Sequence, residues 1–478
     1  MNRLIKLLSL SMLLLVGLMT SAHAQGNFVY TNNDSTPNSV TAFSVATNGV
    51  LSQVTGSPFA TGGAGFGGGF FAANRATTCI LAKRLYVSNG GSDDVTGFNI
   101  NPTTGALTLV PGSPFATGGT GGGEGISLAC TPDGKFVIAA NALSSNISVF
   151  SVAANGALTP ILGSPFACGF FPDGIKVSSD GRFLAVALPS EGAGSVQMFS
   201  ISSSGALALV GTFADGGTGT ATGVDINSTS ELAFVAESNN TSTIVDVFGI
   251  SSTGSLAPIS GSPFEFASGV NSNVPLLSSN ERFLFVSNQF TPPGNQGSIT
   301  VLNVAANGSL SLVAGSPFAN PGGFFPSGMA TNSTGTLLYA GNSNDSVSVF
   351  SIAANGTLTP APGSPFSTGA SGFSVSLAAF PPKQNVLCLG MSGGNVLRIN
   401  TSTGEYVLCR PFGITQTGTG FVSINGCNLT FTDPTPNRRV TAQINLCTRK
   451  GTASVQTRLG TFLINDPNID DQSCDCPT

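Results

Sequence analysis

Gly56-Ser57-Pro58-Phe59 is the first copy of a tetrapeptide that recurs about every fifty residues and decides the fold. The other intact copies begin at Gly112, Gly163, Gly261, Gly315 and Gly363. A degenerate copy, Gly211-Thr212-Phe213, occupies the one long gap, so the chain carries seven copies in all. A period of this length, built from strand-like segments, is typical of a propeller or a solenoid.

Each residue of the motif suits the end of a strand. Glycine adopts a positive φ at little cost, and serine can hydrogen-bond to nearby backbone. Proline removes a donor from the ladder, so a strand stops there or lies at an edge. Phenylalanine offers a large apolar ring for burial against a neighbouring unit. We therefore predict that the motif ends a strand in every unit.

The segments between the motifs repeat one pattern of short strands. Arg84–Asn89 is followed by Val95–Ile100, and Thr104-Gly105 then supplies the positive φ that a tight hairpin needs. A fourth strand lies between each motif and the next unit. No helical periodicity interrupts this pattern. The sequence therefore predicts an all-β fold, a seven-bladed β-propeller with four-stranded blades over residues 25–380.

The ends of the propeller indicate how the ring closes. The first unit begins at its second strand, Phe28–Asn32, whereas an unused strand lies at residues 372–379. We predict that this late strand pairs into the first blade. An eight-bladed alternative, in which residues 386–408 form one more blade, remains open at this point.

The first 24 residues have the features of a secretory signal. Arg3 and Lys6 precede an apolar run, and Ala22-His23-Ala24 supplies small residues for cleavage. We expect an exported protein in the periplasm, at the cell surface or outside the cell. The mature chain would have no transmembrane span and no histidine, because His23 is the single histidine of the chain.

Cysteines predict a second small domain. Residues 381–478 lack the tetrapeptide and contain six of the nine cysteines, which suggests a disulfide-containing β appendage. Cys79 and Cys130 are expected on innermost strands of neighbouring blades, where they could pair, and Cys168 is our candidate for a free thiol. The remaining disulfide candidates are Cys409, Cys427, Cys447, Cys474 and Cys476.

Charge is sparse, and this limits the functions to consider. Only 8 % of residues are charged, and the formal net charge is −5. No basic cluster is present, so nucleic-acid binding is not expected.

Loops that enter the innermost strands would form one mouth of the channel. There we predict a binding site containing Glu124, Asp173, Lys176 and Asp225. Glu124 and Asp173 could share a proton or a divalent cation, and Lys176 could pair with Asp225. No other cofactor is expected. Structural roles, such as holding channel water or joining blades, are the alternative for all four residues.

The blade pattern resembles the seven-bladed lactonase-like propellers, which are also described by their Tyr-Val-Thr-Asn repeats. The matching residues are Tyr86-Val87-Ser88-Asn89, Val347-Ser348-Val349-Phe350 and Thr104-Gly105-Ala106-Leu107. The resemblance implies lactone hydrolases similar to 6-phosphogluconolactonase, or cycloisomerases. Enzymes of this family are thought to use histidine, arginine and glutamate above the channel, and the mature chain lacks the histidine.

Two functional hypotheses follow. The first is an exported binding or scaffold module whose partner is a protein, a glycan or a small sugar-acid ligand. The missing histidine and the sparse charge favour it, so we lean against catalysis. The alternative is a lactone hydrolase or a related sugar-acid enzyme that uses carboxylates at the channel mouth.

Overall fold

The fold was analysed in a computed structural model of the chain. Side chains are described in residues 27–66, 78–81, 83–122, 125–189, 194–291, 296–323, 325–370 and 376–380, apart from that of Thr78. Beyond residue 385 the structure describes the backbone of the strands. The predicted signal and Glu124 therefore lie outside the described residues.

Seven antiparallel sheets of the same design follow one another, and we number these blades 1 to 7 from the N-terminus. The innermost strands of blades 1 to 7 are Ser376–Phe380, Thr78–Leu81, Ile126–Cys130, Ile175–Val177, Thr220–Ile226, Val270–Leu277 and Pro326–Thr331. The second strands are Phe28–Asn32, Arg84–Asn89, Phe136–Asn141, Phe183–Leu188, Leu232–Ser238, Phe283–Thr291 and Leu337–Asn342. The third strands are Ser39–Val45, Asp94–Ile100, Asn146–Val152, Ser195–Ile201, Thr243–Ile250, Gln296–Val304 and Ser346–Ile352. The outer strands are Leu51–Gln53, Leu107–Leu109, Leu158–Pro160, Leu207–Ala214, Leu256–Pro258, Leu310–Leu312 and Leu358–Pro360.

The last strand of the propeller closes the ring. Ser376–Phe380 pairs antiparallel with Phe28–Asn32, with Phe380 opposite Phe28 and Ser376 opposite Asn32. The seven-bladed fold and the predicted closure are therefore confirmed. The eight-bladed alternative is wrong, because blade 7 packs directly against blade 1 and leaves no place for another blade between them.

The apolar core is divided among the seven blade interfaces. Each cluster of buried side chains takes members from two neighbouring blades. Phe28 and Leu85 share the cluster between blades 1 and 2, and Tyr339 and Val29 share the one between blades 7 and 1. The phenylalanine of each motif packs against the cluster between its own blade and the next, as Phe59 does. Burial of this apolar surface holds the blades together.

The Gly-Ser-Pro-Phe motif interrupts the outer edge of a blade and does not end it. In blade 3 the third strand pairs with Leu158–Pro160 and, beyond the motif, with the short strand Phe166–Ala167. The corresponding short strands elsewhere are Phe59–Ala60, Phe115–Ala116, Phe264–Phe266, Phe318–Ala319 and Phe366–Ser367. The predicted strand end is confirmed for the intact copies, because the outer strand stops before the motif, and a new short strand resumes the pairing at the phenylalanine.

The serine of the motif fills the gap that this interruption leaves. In all six intact copies its Oγ accepts a hydrogen bond from a backbone N–H of the third strand, as Ser164 does from Val149 at 2.9 Å. A side-chain oxygen therefore replaces a carbonyl of the ladder. Blade 4 has the degenerate motif, and its outer strand Leu207–Ala214 runs unbroken opposite the third strand, with Gly211 facing Met198.

Beyond the propeller the chain forms two further five-stranded sheets. One has the order Gly413–Thr419, Glu405–Arg410, Asn395–Asn400, Val386–Met391 and Asn468–Asp470. The other has the order Phe421–Asn425, Asn428–Asp433, Val440–Asn445, Lys450–Thr457 and Gly460–Asn465. The expected disulfides of Cys409, Cys427, Cys447, Cys474 and Cys476 fall outside the described side chains, so they remain predictions.

A disulfide joins Cys79 to Cys130, with their Cα atoms 5.9 Å apart. It links the innermost strands of blades 2 and 3, as the sequence predicted. Cys168 is a free thiol, also as expected, and burial raises its pKa to about 12. A thiol with so high a pKa is a poor nucleophile at neutral pH. Within the described part of the chain, no helix is long and apolar enough to span a bilayer.

Substitution of a motif serine should expose the role of its hydroxyl. We expect Ser364→Ala to lower stability by about 1–3 kcal/mol, because the Val349 amide loses its acceptor. Thermal and urea unfolding measure this effect. Ser351→Ala is the matched control, since Ser351 is an exposed residue of the strand that contains Val349. Equal destabilisation by both variants would contradict the role assigned to the serine.

Removal of the disulfide should also weaken the propeller. We expect Cys130→Ser to lower stability by about 2–5 kcal/mol under non-reducing conditions, because the cross-link restricts the unfolded chain. Cys168→Ser serves as the control and should leave the melting temperature nearly unchanged. A Cys130→Ser variant as stable as the wild type would show that this bond adds nothing to stability.

Candidate functional site

Asp173 lies where the chain enters the innermost strand of blade 4. Only 2 % of its surface is exposed, and its backbone amide donates to the carbonyl of Ala187 at 2.9 Å. The next residue, Gly174, donates to the carbonyl of Thr222 in blade 5 at 2.9 Å. The two blades therefore meet closely at this end of the channel. Because Glu124 is not described, its expected contact with Asp173 stays a prediction.

Lys176 and Asp225 form the ion pair that the sequence suggested. Nζ lies 2.7 Å from Oδ1, which joins the innermost strands of blades 4 and 5. The two partners differ in exposure: 41 % of the lysine side chain is accessible, against 6 % of the aspartate side chain. A buried carboxylate thus holds a positive charge at the surface of the ring.

Asp225 has further partners that fix its position. Its Oδ1 accepts the amide of Ile226 at 2.9 Å, and its Oδ2 accepts the amide of Leu277 in blade 6 at 2.8 Å. Both carboxylate oxygens are therefore engaged, and one side chain connects three blades. Hydrogen bonds of this kind stabilise the charged form of a carboxylate.

The other polar residues near the innermost strands mostly join blades. Thr222 Oγ1 lies 3.1 Å from the carbonyl of Ser272 and 2.9 Å from that of Asn273, both in blade 6. Ser272 donates to Asn288 Oδ1 at 2.9 Å. Thr222 thus links blades 5 and 6, whereas the Ser272–Asn288 bond lies within blade 6. Both hydroxyls satisfy buried groups, because buried polar groups must find partners.

A buried amide network recurs at the end of the second strands, and the sequence analysis missed it. Asn141 donates to Ser148 Oγ at 2.9 Å, and that hydroxyl donates to the carbonyl of Thr117 in the preceding blade at 2.7 Å. Asn342 donates to Ser348 in the same way, at 2.9 Å. These groups are neutral and ordinarily serve as links between blades.

Blade 5 carries charged residues at the matching positions. Glu237 stands where Asn141 and Asn342 stand, and Asp246 occupies the serine position of the third strand. Asp215 follows Phe213 of blade 4, as Thr117 follows Phe115 of blade 2. Alignment of the second strands could have revealed this change, since Phe-Val-Ala-Glu replaces Tyr-Val-Ser-Asn in blade 5.

Asp215, Glu237 and Asp246 form what we call the carboxylate cluster, with one oxygen of each lying within 4.8 Å of those of the others. Glu237 and Asp246 are fully buried, and Asp215 is 9 % exposed. Gly219 donates its amide to Glu237 at 2.8 Å, and Gly216 donates to Asp246 at 3.0 Å.

Burial raises the pKa values of two carboxyl groups in this cluster. Desolvation, with the adjacent Asp246 carboxyl, raises the pKa of Glu237 to about 9. Burial, with repulsion from Asp246, raises the pKa of Asp215 to about 6. The unliganded cluster therefore keeps Glu237 protonated at neutral pH, because several buried carboxylates cannot share a site while all are ionised.

Solved structures support the architecture. A Bacteroides fragilis protein described as a candidate 6-phosphogluconolactonase is 18 % identical, with a TM-score of 0.56 over 75 % of this chain and 99 % of the other. A Bacteroides uniformis protein with the same description is 15 % identical, with a TM-score of 0.59 over 74 % and 99 % of the chains. A Lactobacillus plantarum protein is 18 % identical, with a TM-score of 0.54 over 74 % and 99 %. At this identity, the likeness shows the fold alone.

No curated protein matches the sequence. A family model described as "Lactonase, 7-bladed beta-propeller" matches residues 21–169 and 272–370. The intervening segment contains blades 4 and 5, with the degenerate motif, the Lys176–Asp225 pair and the carboxylate cluster. The two matched segments together span half of the sequence, and the chain belongs to this family of seven-bladed lactonase propellers.

Proposed function

We propose that this protein binds a small sugar acid, or its lactone, at one end of the central channel, where blades 4 and 5 meet. The observation that carries the proposal is the Lys176–Asp225 pair. An ammonium group has three N–H donors, and among the described residues Asp225 is the one partner that engages it. The half-exposed lysine therefore retains donors for a ligand carboxylate or for the carbonyl of a lactone.

The same pair favours binding over hydrolysis. Hydrolysis of a lactone needs a general base, or an activated water, and a group that stabilises the oxyanion. Asp225 accepts hydrogen bonds from two backbone amides and pairs with Lys176, so both of its carboxylate oxygens are already engaged. Lys176 thus supplies a positive charge that can bind a ligand, while Asp225 holds neighbouring blades together.

The class of ligand is suggested by the relatives and by the rim. Two structural neighbours are described as candidate 6-phosphogluconolactonases, whose named substrate class is a phosphorylated sugar lactone. Phe170 lies three residues before Asp173, is 66 % exposed and contacts Phe171, with ring centroids 4.5 Å apart. An exposed aromatic ring on the segment that leads into this strand suits contact with the apolar face of a sugar.

We also propose that the protein is exported and acts in an oxidising compartment as a binding module. The sequence of residues 1–24 and the Cys79–Cys130 disulfide support this proposal. Disulfides persist mainly in extracellular or periplasmic surroundings. Proteins and glycans remain alternative partners, and the binding measurements below separate them from sugar acids.

Titration calorimetry with gluconate and 6-phosphogluconate tests the binding proposal. We expect Lys176→Met to weaken binding by about 10- to 100-fold, the size of one charge-assisted hydrogen bond. Lys135→Met is the matched control, because Lys135 lies in a surface turn and also pairs with an aspartate, Asp133, at 2.9 Å. The double variant Lys176→Met/Asp225→Asn avoids an unpaired buried charge and should bind equally weakly.

Failure of the wild-type protein to bind either acid would overturn the sugar-acid assignment. Tight binding by both Lys176 variants would overturn that assignment as well. A melting curve for each variant establishes that loss of binding does not arise from unfolding.

Lactone hydrolysis is the second candidate, favoured by family membership and by Asp173 at the channel end. If it is correct, the protein hydrolyses δ-gluconolactone, and Asp173→Asn or Glu124→Gln lowers kcat by about 10²- to 10⁴-fold, as removal of a general base does. A pH-stat assay measures the rate. Turnover no faster than the uncatalysed reaction would exclude this candidate while leaving the binding proposal intact.

A further inference from the structure

The carboxylate cluster of Asp215, Glu237 and Asp246 is not used by the proposed function. It spans the boundary between two blades, since Asp215 follows the outer strand of blade 4, whereas Glu237 and Asp246 belong to blade 5. It lies at the end of blade 5 where the innermost strand begins, because Ala221 pairs with Glu237. The cluster therefore sits near the channel end but outside the innermost strands.

The oxygens of this cluster lack the partners that burial demands. Among the described residues, no donor reaches Asp215 Oδ1 and Oδ2, Glu237 Oε1 or Asp246 Oδ2, and only a proton on Glu237 can join that carboxyl to Asp246. The ion pairs of the described part of the chain involve Lys135, Lys176 and Arg182, and none of them reaches the cluster. Such oxygens are costly to bury unless a cation or a proton compensates them.

The backbone around the cluster is shaped to close over it. Residues 215–219 read Asp-Gly-Gly-Thr-Gly. A Cβ atom at Gly217 would collide with both carboxylate oxygens of Glu237, and one at Gly194 would collide with Asp215 Oδ2. Gly194 also lies too close to the backbone amide of Ala221 for a Cβ atom, and a glycine approaches the second-strand side chain in the neutral blades as well, as Gly119 does beside Asn141.

The other blades show that an interface of this kind needs no charge. Neutral residues occupy the matching positions, and where they are amides and hydroxyls they hydrogen-bond one another, as Asn141 and Ser148 do, although Asn141 Oδ1 has no partner among the described residues. Replacement of these groups by three carboxylates adds negative charge and removes donors. A positively charged species between the carboxylates would restore both the charge balance and the link between blades.

We propose that Asp215, Glu237 and Asp246 bind one Ca²⁺ ion between blades 4 and 5. Ca²⁺ binds oxygen ligands at about 2.3–2.6 Å, so two ligands on opposite sides of the ion are about 5 Å apart. The three carboxylate oxygens lie within 4.8 Å of one another, so one ion of this size can reach all three. Carboxylate oxygens suit a hard cation, and flexible coordination favours Ca²⁺ over Mg²⁺, which retains several waters. The ion would tie the one blade whose outer strand lacks the intact motif to its neighbour.

Calorimetry on the full-length protein tests this site after metal is removed with EGTA and the chelator is dialysed away. We expect one Ca²⁺ per chain from this cluster and a higher melting temperature with Ca²⁺, because a ligand that binds only the folded state stabilises it. Asp246→Asn and Glu237→Gln should each weaken Ca²⁺ binding by about 10-fold or more, since the number of ligand charges tunes affinity over decades. Asp133→Asn is the matched control, because it removes one carboxylate from an exposed turn.

The melting temperatures of the wild type and of Glu237→Gln, each measured without and with Ca²⁺, provide a second readout. Without metal, Glu237→Gln should melt at or above the wild-type temperature, because it removes a buried acid from a crowded cluster. With Ca²⁺, the wild type should be the more stable of the two. Absence of Ca²⁺ uptake by the folded wild-type protein overturns the proposal whatever the variants do. Uptake that is unchanged in the folded Glu237→Gln and Asp246→Asn variants overturns it as well.

Discussion

Antiparallel pairing of Ser376–Phe380 with Phe28–Asn32 is the contact on which the rest of the propeller depends. It joins strands that are almost 350 residues apart in sequence, and it completes blade 1. With that blade complete, Val29 and Leu377 can pack against Tyr339 of blade 7, so the seventh apolar interface forms. A closed ring leaves only short edges exposed, which limits unwanted pairing with other chains.

Within each blade, a single hydroxyl allows the outer edge to bend without losing a hydrogen bond. The serine of the motif accepts an amide of the third strand, and the phenylalanine then packs into the next interface, as Ser57 and Phe59 do. The four residues of the motif therefore both interrupt the ladder and pack one blade against the next. This coupling explains why the motif is repeated in six blades, and why blade 4, which lacks it, has a continuous outer strand.

Blades 4 and 5 differ from the others in charge as well as in geometry. The family model leaves this segment unmatched, and both the Lys176–Asp225 pair and the carboxylate cluster lie in it. Elsewhere, neutral amides and hydroxyls join the blades. Charged groups at these positions need partners, because an isolated buried charge is costly. The two blades that depart from the repeat are therefore the ones in which we propose a ligand and an ion.

The sequence by itself predicted seven four-stranded blades and the closing strand, because the repeat and the alternation of each strand can be read along the chain, but it left an eighth blade open. It also determined that Cys79 and Cys130 stand on neighbouring blades and that Lys176 faces Asp225, since register fixes equivalent positions in each repeat. Only the tertiary structure decided what the polar groups do. Thr222 donates to backbone carbonyls of the next blade, whereas Ser272 donates to Asn288 within its own blade. The proximity of Asp215, Glu237 and Asp246 arises where two blades meet, and no local pattern encodes contacts between separate sheets.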